Sequence, residues 1–158
     1  MVKVFISHQK ADSGLSENIA RRLRERHDIA CYLDVADGLF ARGEDLADHI
    51  RSRMADCTQL LAVVLPATLA SQWVPWEVGV ATEKNYPLAT YSGQNAVPPE
   101  FLRKWPYMRT DAELDEYARI SKAADLSLRR KLILLSESVA RRQVASDFYA
   151  DLRRALRQ

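Results

Sequence analysis

The sequence predicts an α/β domain, a mostly parallel sheet of about five strands with helices on both faces, followed by a helical C-terminal extension. Three observations carry that expectation. Short β-rich runs alternate with helix-period segments through the first 90 residues. The run from Leu60 to Leu65 (LLAVVL) is apolar at every position, as a central parallel strand covered on both faces requires. From residue 125 onward the pattern is purely helical. Strand–helix alternation builds right-handed βαβ units and a parallel sheet. The expected division is 1–124 for the α/β domain and 125–158 for the extension.

The first strand, 2–7, is rich in Val, Phe and Ile and turns polar at His8. A helix over 12–27 follows, with Leu15, Ile19 and Leu23 four apart on one face. Residues 29–33 read as a second strand and 34–43 as a polar loop. The next helix, 45–56, places Leu46, Ile50 and Met54 in register. The third strand stops at Pro66. A helix over 73–85 contains Pro75, which fits only in a first turn, where backbone N–H groups lack helical partners anyway. Residues 88–91 give a fourth strand. After a loop with Gly93 and Pro98-Pro99, residues 105–109 give a fifth, at an edge because Pro106 has no N–H to share. Thr110-Asp-Ala-Glu113 is a capping box that opens a helix to about residue 124. In the extension Val144, Phe148, Leu152 and Leu156 repeat every four residues. That stripe must pack on its own domain or on another copy of the chain, and support of self-association is one expectation for it.

Bulk properties narrow the classes of function. The chain has 158 residues, 47% hydrophobic and 28% charged, an ordinary globular balance. A formal charge of +2 gives no argument for nucleic acid or an anionic membrane as partner. The clusters Arg129-Arg130-Lys131, Arg141-Arg142 and Arg153-Arg154 read as solvated helix faces. No apolar run reaches the length of a membrane span, and the opening residues read as a buried strand rather than a signal peptide. Cys31 and Cys57 give neither a disulfide framework nor zinc spacing and read as small core residues. The expectation is a reduced, cytoplasmic protein with no metal, no nucleic acid and no membrane partner.

In open parallel sheets, ligands bind at the carboxyl ends of the strands. Segments 7–12, 34–43 and 66–77 should therefore meet at one rim. There is no GxxxxGK[ST] and no GxGxxG to cradle phosphate. A phosphoryl receiver would need acids after the first strand and an Asp ending the third, where Ser7-His8 and Pro66 stand. His8, His27 and His49 do not converge as a base for a nucleophile. What stands out is Trp73-Val-Pro-Trp76-Glu77. Trp73 and Glu77 are four apart and share a helix face close to the rim. An indole beside a fixed carboxylate suits a flat ring attached to a ribose, the carboxylate binding hydroxyls and stabilising an oxocarbenium-like transition state. Core packing of Trp73 and a simple helix-start preference of Glu77 account for the spacing equally well.

These residues resemble the Toll/interleukin-1 receptor (TIR) domain family. Phe5-Ile-Ser-His-Gln-Lys-Ala-Asp12 is similar to its first box. Cys31-Tyr-Leu-Asp34, with a loop closing at Gly43, resembles its second strand and BB loop. Trp73 to Glu77 matches the Trp-x-x-x-Glu element of members that cleave NAD+. The resemblance covers about residues 2–120 and implies a flavodoxin-like, doubly wound parallel sheet. It implies that Glu77 is catalytic and that Ser7, His8, Gln9, Tyr32, Asp34 and Trp73 line the substrate site. The type resembled is the bacterial stand-alone enzyme of Thoeris-like phage defence, an NAD+ hydrolase or ADP-ribosyl cyclase. For that type NAD+ is substrate rather than cofactor, copies associate through TIR–TIR contacts, and the product nucleotide reaches a separate effector. The BB loop departs from receptor-type members, carrying Ala36 to Gly43 (ADGLFARG) in place of their Arg-Asp and Pro-Gly, which makes adaptor-style pairing less expected. A non-catalytic TIR interaction module and a nucleoside deoxyribosyltransferase-like enzyme are the alternative expectations.

Overall fold

The computed structural model describes residues 1–33, 43–65, 73–93 and 97–158, with 43–45 described in backbone only. Five parallel strands form one sheet: β1 (Lys3–Ser7), β2 (Ala30–Leu33), β3 (Gln59–Val63), β4 (Leu88–Tyr91) and β5 (Tyr107–Met108), in the order β2-β1-β3-β4-β5. This is the flavodoxin-like order. The helices are α1 (Ser13–His27), α2 (Gly43–Ala55), α3 (Trp73–Glu83), α4 (Asp111–Lys131) and α5 (Glu137–Leu156).

Period-two alternation along the strands divides the core between the two faces. Val4 and Ile6 of β1, with Leu61 and Val63 of β3, pack against α1, α4 and α5. Phe5, Leu60 and Ala62 turn the other way, toward α2 and α3. Pro75 is the third residue of α3, inside the first turn as its missing N–H demands. Pro106 lies beside the edge strand β5, where its carbonyl still accepts from the Thr90 N–H at 3.0 Å. Thr110 Oγ1 accepts from the Glu113 N–H at 3.2 Å, and the Glu113 carboxylate reaches back to the N–H of Arg109. The box therefore closes one residue earlier than its standard form.

One feature of the C-terminal third differs from the sequence expectation, and a second chooses between two expectations left open there. α4 does not end near residue 124 but runs unbroken to Lys131. Nothing in 125–131 breaks a helix: the segment has no Gly or Pro, Leu128 still packs on the core, and Arg129, Arg130 and Lys131 suit the negative end of the helix dipole. The stripe on α5 packs inside its own chain. Val144, Phe148, Leu152 and Leu156 belong to the same buried cluster as β1, β3 and α1. Past α5, the Gln158 side-chain amide pairs with the backbone of Tyr107, accepting from its N–H at 3.1 Å and donating to its carbonyl. That contact covers part of the exposed β5 edge. Between α1 and α4, Arg22 makes a two-pronged contact with Asp115 at 2.8 and 2.7 Å, and His27 Nε2 lies 2.7 Å from the same carboxylate.

Candidate functional site

The site is assembled at the carboxyl rim of the sheet, on the face covered by α2 and α3. Ser7 ends β1 and lies two residues after Phe5, so both point to that face. Tyr32 stands in register with Phe5 on the neighbouring strand, and their rings are 5.5 Å apart. From the helix side, the buried stripe of α3 is Val74, Glu77, Val78 and Ala81. Three of its four members are apolar and the fourth is a carboxylate, only 2% exposed.

Ser7 Oγ donates a hydrogen bond to Glu77 Oε2. Two residues separated by 70 positions thus meet, one at the end of a central strand and the other on the helix that follows the adjacent strand. A carboxylate in a nonpolar stripe is tolerated only with hydrogen-bond partners, and the fully buried Ser7 hydroxyl is one of them. Trp73, one turn before Glu77, is half-buried against the α2–α3 core. Its indole meets that of Trp76 edge-on, with centroids 5.6 Å apart and planes at 86°. Trp73 therefore has both a packed side and a side open to solvent.

Of the remaining predicted residues, His8, Gln9 and Tyr32 lie along the same rim. Gln9 is half-buried in the turn after β1, and its Oε1 is buried with no hydrogen-bond partner among the described residues, an acceptor that a ligand donor could fill. His8 is half-exposed, its Nδ1 3.3 Å from the Ile6 carbonyl, so its ring folds back on its own strand. Tyr32 packs on Phe5, and its hydroxyl lies 3.3 Å from His49 Nε2 on α2. Asp34 and most of the 34–43 loop lie outside the described residues; Gly43 opens α2.

Several neighbours were not among the site residues expected from the sequence. His49 and Arg53, four apart on α2, both turn to Tyr32, with the Arg53 guanidinium 5.7 Å from the ring centroid. Only the packing of α2 on β2 brings them there, although the four-residue spacing already put them on one helix face. Asp12 is buried at the start of α1, and Ser92, just past β4, is buried with its N–H donating to Met108 at 2.9 Å. Gly93, next on the rim, has φ +72, and a side-chain carbon there would come within 3.3 Å of Leu65, so the turn calls for glycine.

The cysteines are not part of this constellation. Burial pushes the Cys31 thiol up to about 12 and the Cys57 thiol up to about 11. Both stay protonated and poorly nucleophilic at neutral pH. What the rim offers instead is a buried carboxylate with a hydroxyl donor, flanked by aromatic planes. That set can bind a pair of hydroxyls and stabilise positive charge developing beside them.

No curated protein matches the chain. A family model for the TIR domain matches residues 4–122, which include all of the five strands but Lys3, together with Ser7 and Glu77. With most of its length so matched, the chain belongs to the TIR domain family.

Proposed function

We propose that the protein cleaves NAD+ at the bond between nicotinamide and ribose, as an NAD+ glycohydrolase or ADP-ribosyl cyclase. The observation that supports this reading most strongly is the pairing of Ser7 with Glu77, a buried carboxylate at the ligand-binding edge of a doubly wound sheet. In the hydrolytic form the C1′–N bond breaks and its electron pair passes to the nicotinamide nitrogen, cancelling the pyridinium charge. The ribose carries the resulting oxocarbenium character. Water adds at C1′ and loses a proton, giving ADP-ribose. In the cyclising form, a nucleophilic atom of the same molecule takes the place of water.

In this reading Glu77 accepts from the ribose hydroxyls and stabilises the cation, an electrostatic role that needs the carboxylate held in place beforehand. Ser7 holds it. Trp73 and Tyr32 present aromatic planes to the nicotinamide, the Gln9 oxygen accepts from a substrate donor, and His8 lines the mouth. Asp34 belongs to the set on the family resemblance alone. NAD+ is the substrate and no metal enters the chemistry. The same reading extends to association of like copies and to a product nucleotide that acts on a separate effector in bacterial anti-phage signalling.

Purified protein mixed with NAD+ should release nicotinamide, followed by chromatography, with mass spectrometry separating linear from cyclic product. Glu77→Gln keeps the shape of the side chain and should slow release by about 10²–10³-fold while the melting curve stays cooperative. A folded and fully active Glu77→Gln protein would refute the assignment. A non-catalytic interaction module would release no nicotinamide with either sequence.

A further inference from the structure

The α4–α5 corner presents an unusual surface. Every residue from 132 to 139 is exposed, and four in succession are large aliphatics: Leu132, Ile133, Leu134 and Leu135. Ile133 and Leu134 are 80% and 85% exposed, and Val139 adds a fifth apolar side chain from the first turn of α5. A soluble chain rarely leaves such a cluster in water without a use for it.

Two independent features say what the cluster suits. The backbone N–H groups of all four residues donate to carbonyls of the last turns of α4: Leu132 to Leu128, Ile133 to Arg130, and Leu134 and Leu135 to Lys131, at 2.9–3.3 Å. The tip is a fixed turn whose donors are satisfied, so taking it out of water strands no N–H group. Around it stand five basic side chains (Arg129, Arg130, Lys131, Arg141 and Arg142) and three acids (Asp125, Glu137 and Asp147). Asp125 and Asp147 pair with Arg129 and Lys131, and Glu137 with Arg141. Arg130 and Arg142 are exposed and make no ion pair among the described residues.

We propose that this corner docks the protein on an anionic lipid surface, the aliphatic tip entering the interface while the basic collar meets the headgroups. The charge argues against a second copy as occupant, because a symmetric contact would bring two basic collars together. A protein groove suits the tip less well, since four aliphatics in a row include none of the aromatic anchors that dominate such contacts. A short apolar tip with flanking cations is the combination that binds a bilayer surface without spanning it. Among the described residues no helix is long and apolar enough to cross a membrane, so the contact would be peripheral. It revises the sequence expectation of no membrane partner, which rested on bulk charge and span length.

Docking here leaves the rim free. Asp125 lies 3.3 Å from the amino group of Met1, and the Ser121 hydroxyl donates to Gln59 at the start of β3. The C-terminal half of α4 therefore sits at the amino edge of the sheet, the end opposite Ser7. The inference is independent of NAD+ cleavage and stands or falls without it.

The test is co-sedimentation of the full chain with vesicles of phosphatidylcholine alone or with about one-third phosphatidylserine, at low and high salt. Binding should require phosphatidylserine and weaken as salt rises from about 50 mM to about 500 mM. Ile133→Ser with Leu134→Ser should reduce it about tenfold or more at an unchanged melting temperature, because both side chains are exposed. Arg130→Glu with Arg142→Glu should abolish the preference for the anionic lipid. No sedimentation at low salt, equal binding to both vesicles, or full binding by the serine variant would each overturn the proposal. Concentration-dependent dimerisation lost in the serine variant, with no vesicle binding, would assign the tip to a second copy and overturn it as well.

Discussion

Replacing Phe148 by alanine tests whether the C-terminal helix belongs to the core of the domain. Phe148 is 1% exposed on α5. Its ring meets Tyr117 of α4 edge-on at 6.0 Å and 86°, and Tyr149 at 5.8 Å and 72°. Alanine there deletes the ring and leaves a cavity where α4, α5 and the sheet meet. Truncating a buried phenylalanine costs about 3–5 kcal/mol, and loss of two aromatic pairs places this site toward the upper end. Whole domains are stable by only about 5–15 kcal/mol. In a chain of this size each kcal/mol shifts the melting temperature by about 2–4 °C, so the variant should melt about 10 °C or more below the parent. Far-UV circular dichroism at two protein concentrations, with mass by light scattering, reads the outcome. A shift that depends on concentration would mean that the stripe also serves contacts between copies. A folded variant melting within about 2 °C of the parent would refute the placement of the helix.

Two further outcomes follow from the site and from the α1–α4 contact. Ser7→Ala removes a hydroxyl that donates to the Glu77 carboxylate, a charge-assisted bond worth about 1.5–3 kcal/mol. NAD+ cleavage should fall about 10- to 100-fold, chiefly in kcat, and an unchanged kcat would remove Ser7 from its positioning role. The Arg22 guanidinium, helped by His27 and opposed by partial burial, holds the Asp115 carboxyl far below the usual carboxylate range. Because the folded value is depressed, the stabilisation is present above the unfolded value of about 4 and is lost as pH falls below it. Asp115→Asn should lower the melting temperature by about 2–4 °C at pH 7, allowing for screening of a side chain one-third exposed. The gap from the parent should narrow below about pH 4, and a gap that stays constant down to pH 2 would exclude the ion pair as its source.

Much of the architecture was legible because it rests on local rules. Strand–helix alternation identified the parallel sheet, the uniformly apolar run 60–65 marked its centre, and Pro106 marked its edge. The end of α4 was not legible. The shift to a purely helical pattern at residue 125 looks like a new unit in sequence, whereas Leu128 simply continues the apolar face of the same helix onto the core. The aliphatic corner at 132–135 carried no signal either, because an apolar run in sequence reads as buried until the fold shows which positions face water.

The site was legible to a different depth. Strand alternation alone puts Ser7 on the face of Phe5, and helix spacing alone groups Trp73 with Glu77. Neither says that the two groups meet, since the contact depends on β1 and β3 lying side by side with α3 crossing above them. The decisive observation is a conflict between levels. Val74, Val78 and Ala81 make α3 a helix that should bury an apolar stripe, and a valine or leucine at position 77 would complete it. The chain instead places a carboxylate there and a hydroxyl at the end of the central strand to meet it. Burying a carboxyl group there costs stability relative to a hydrophobic residue of similar size. Position 77 departs from its own helix pattern at the carboxyl edge of the sheet, where open α/β folds bind ligands. A departure of that kind, in that place, supports the proposed role of Glu77 in chemistry over one in core packing.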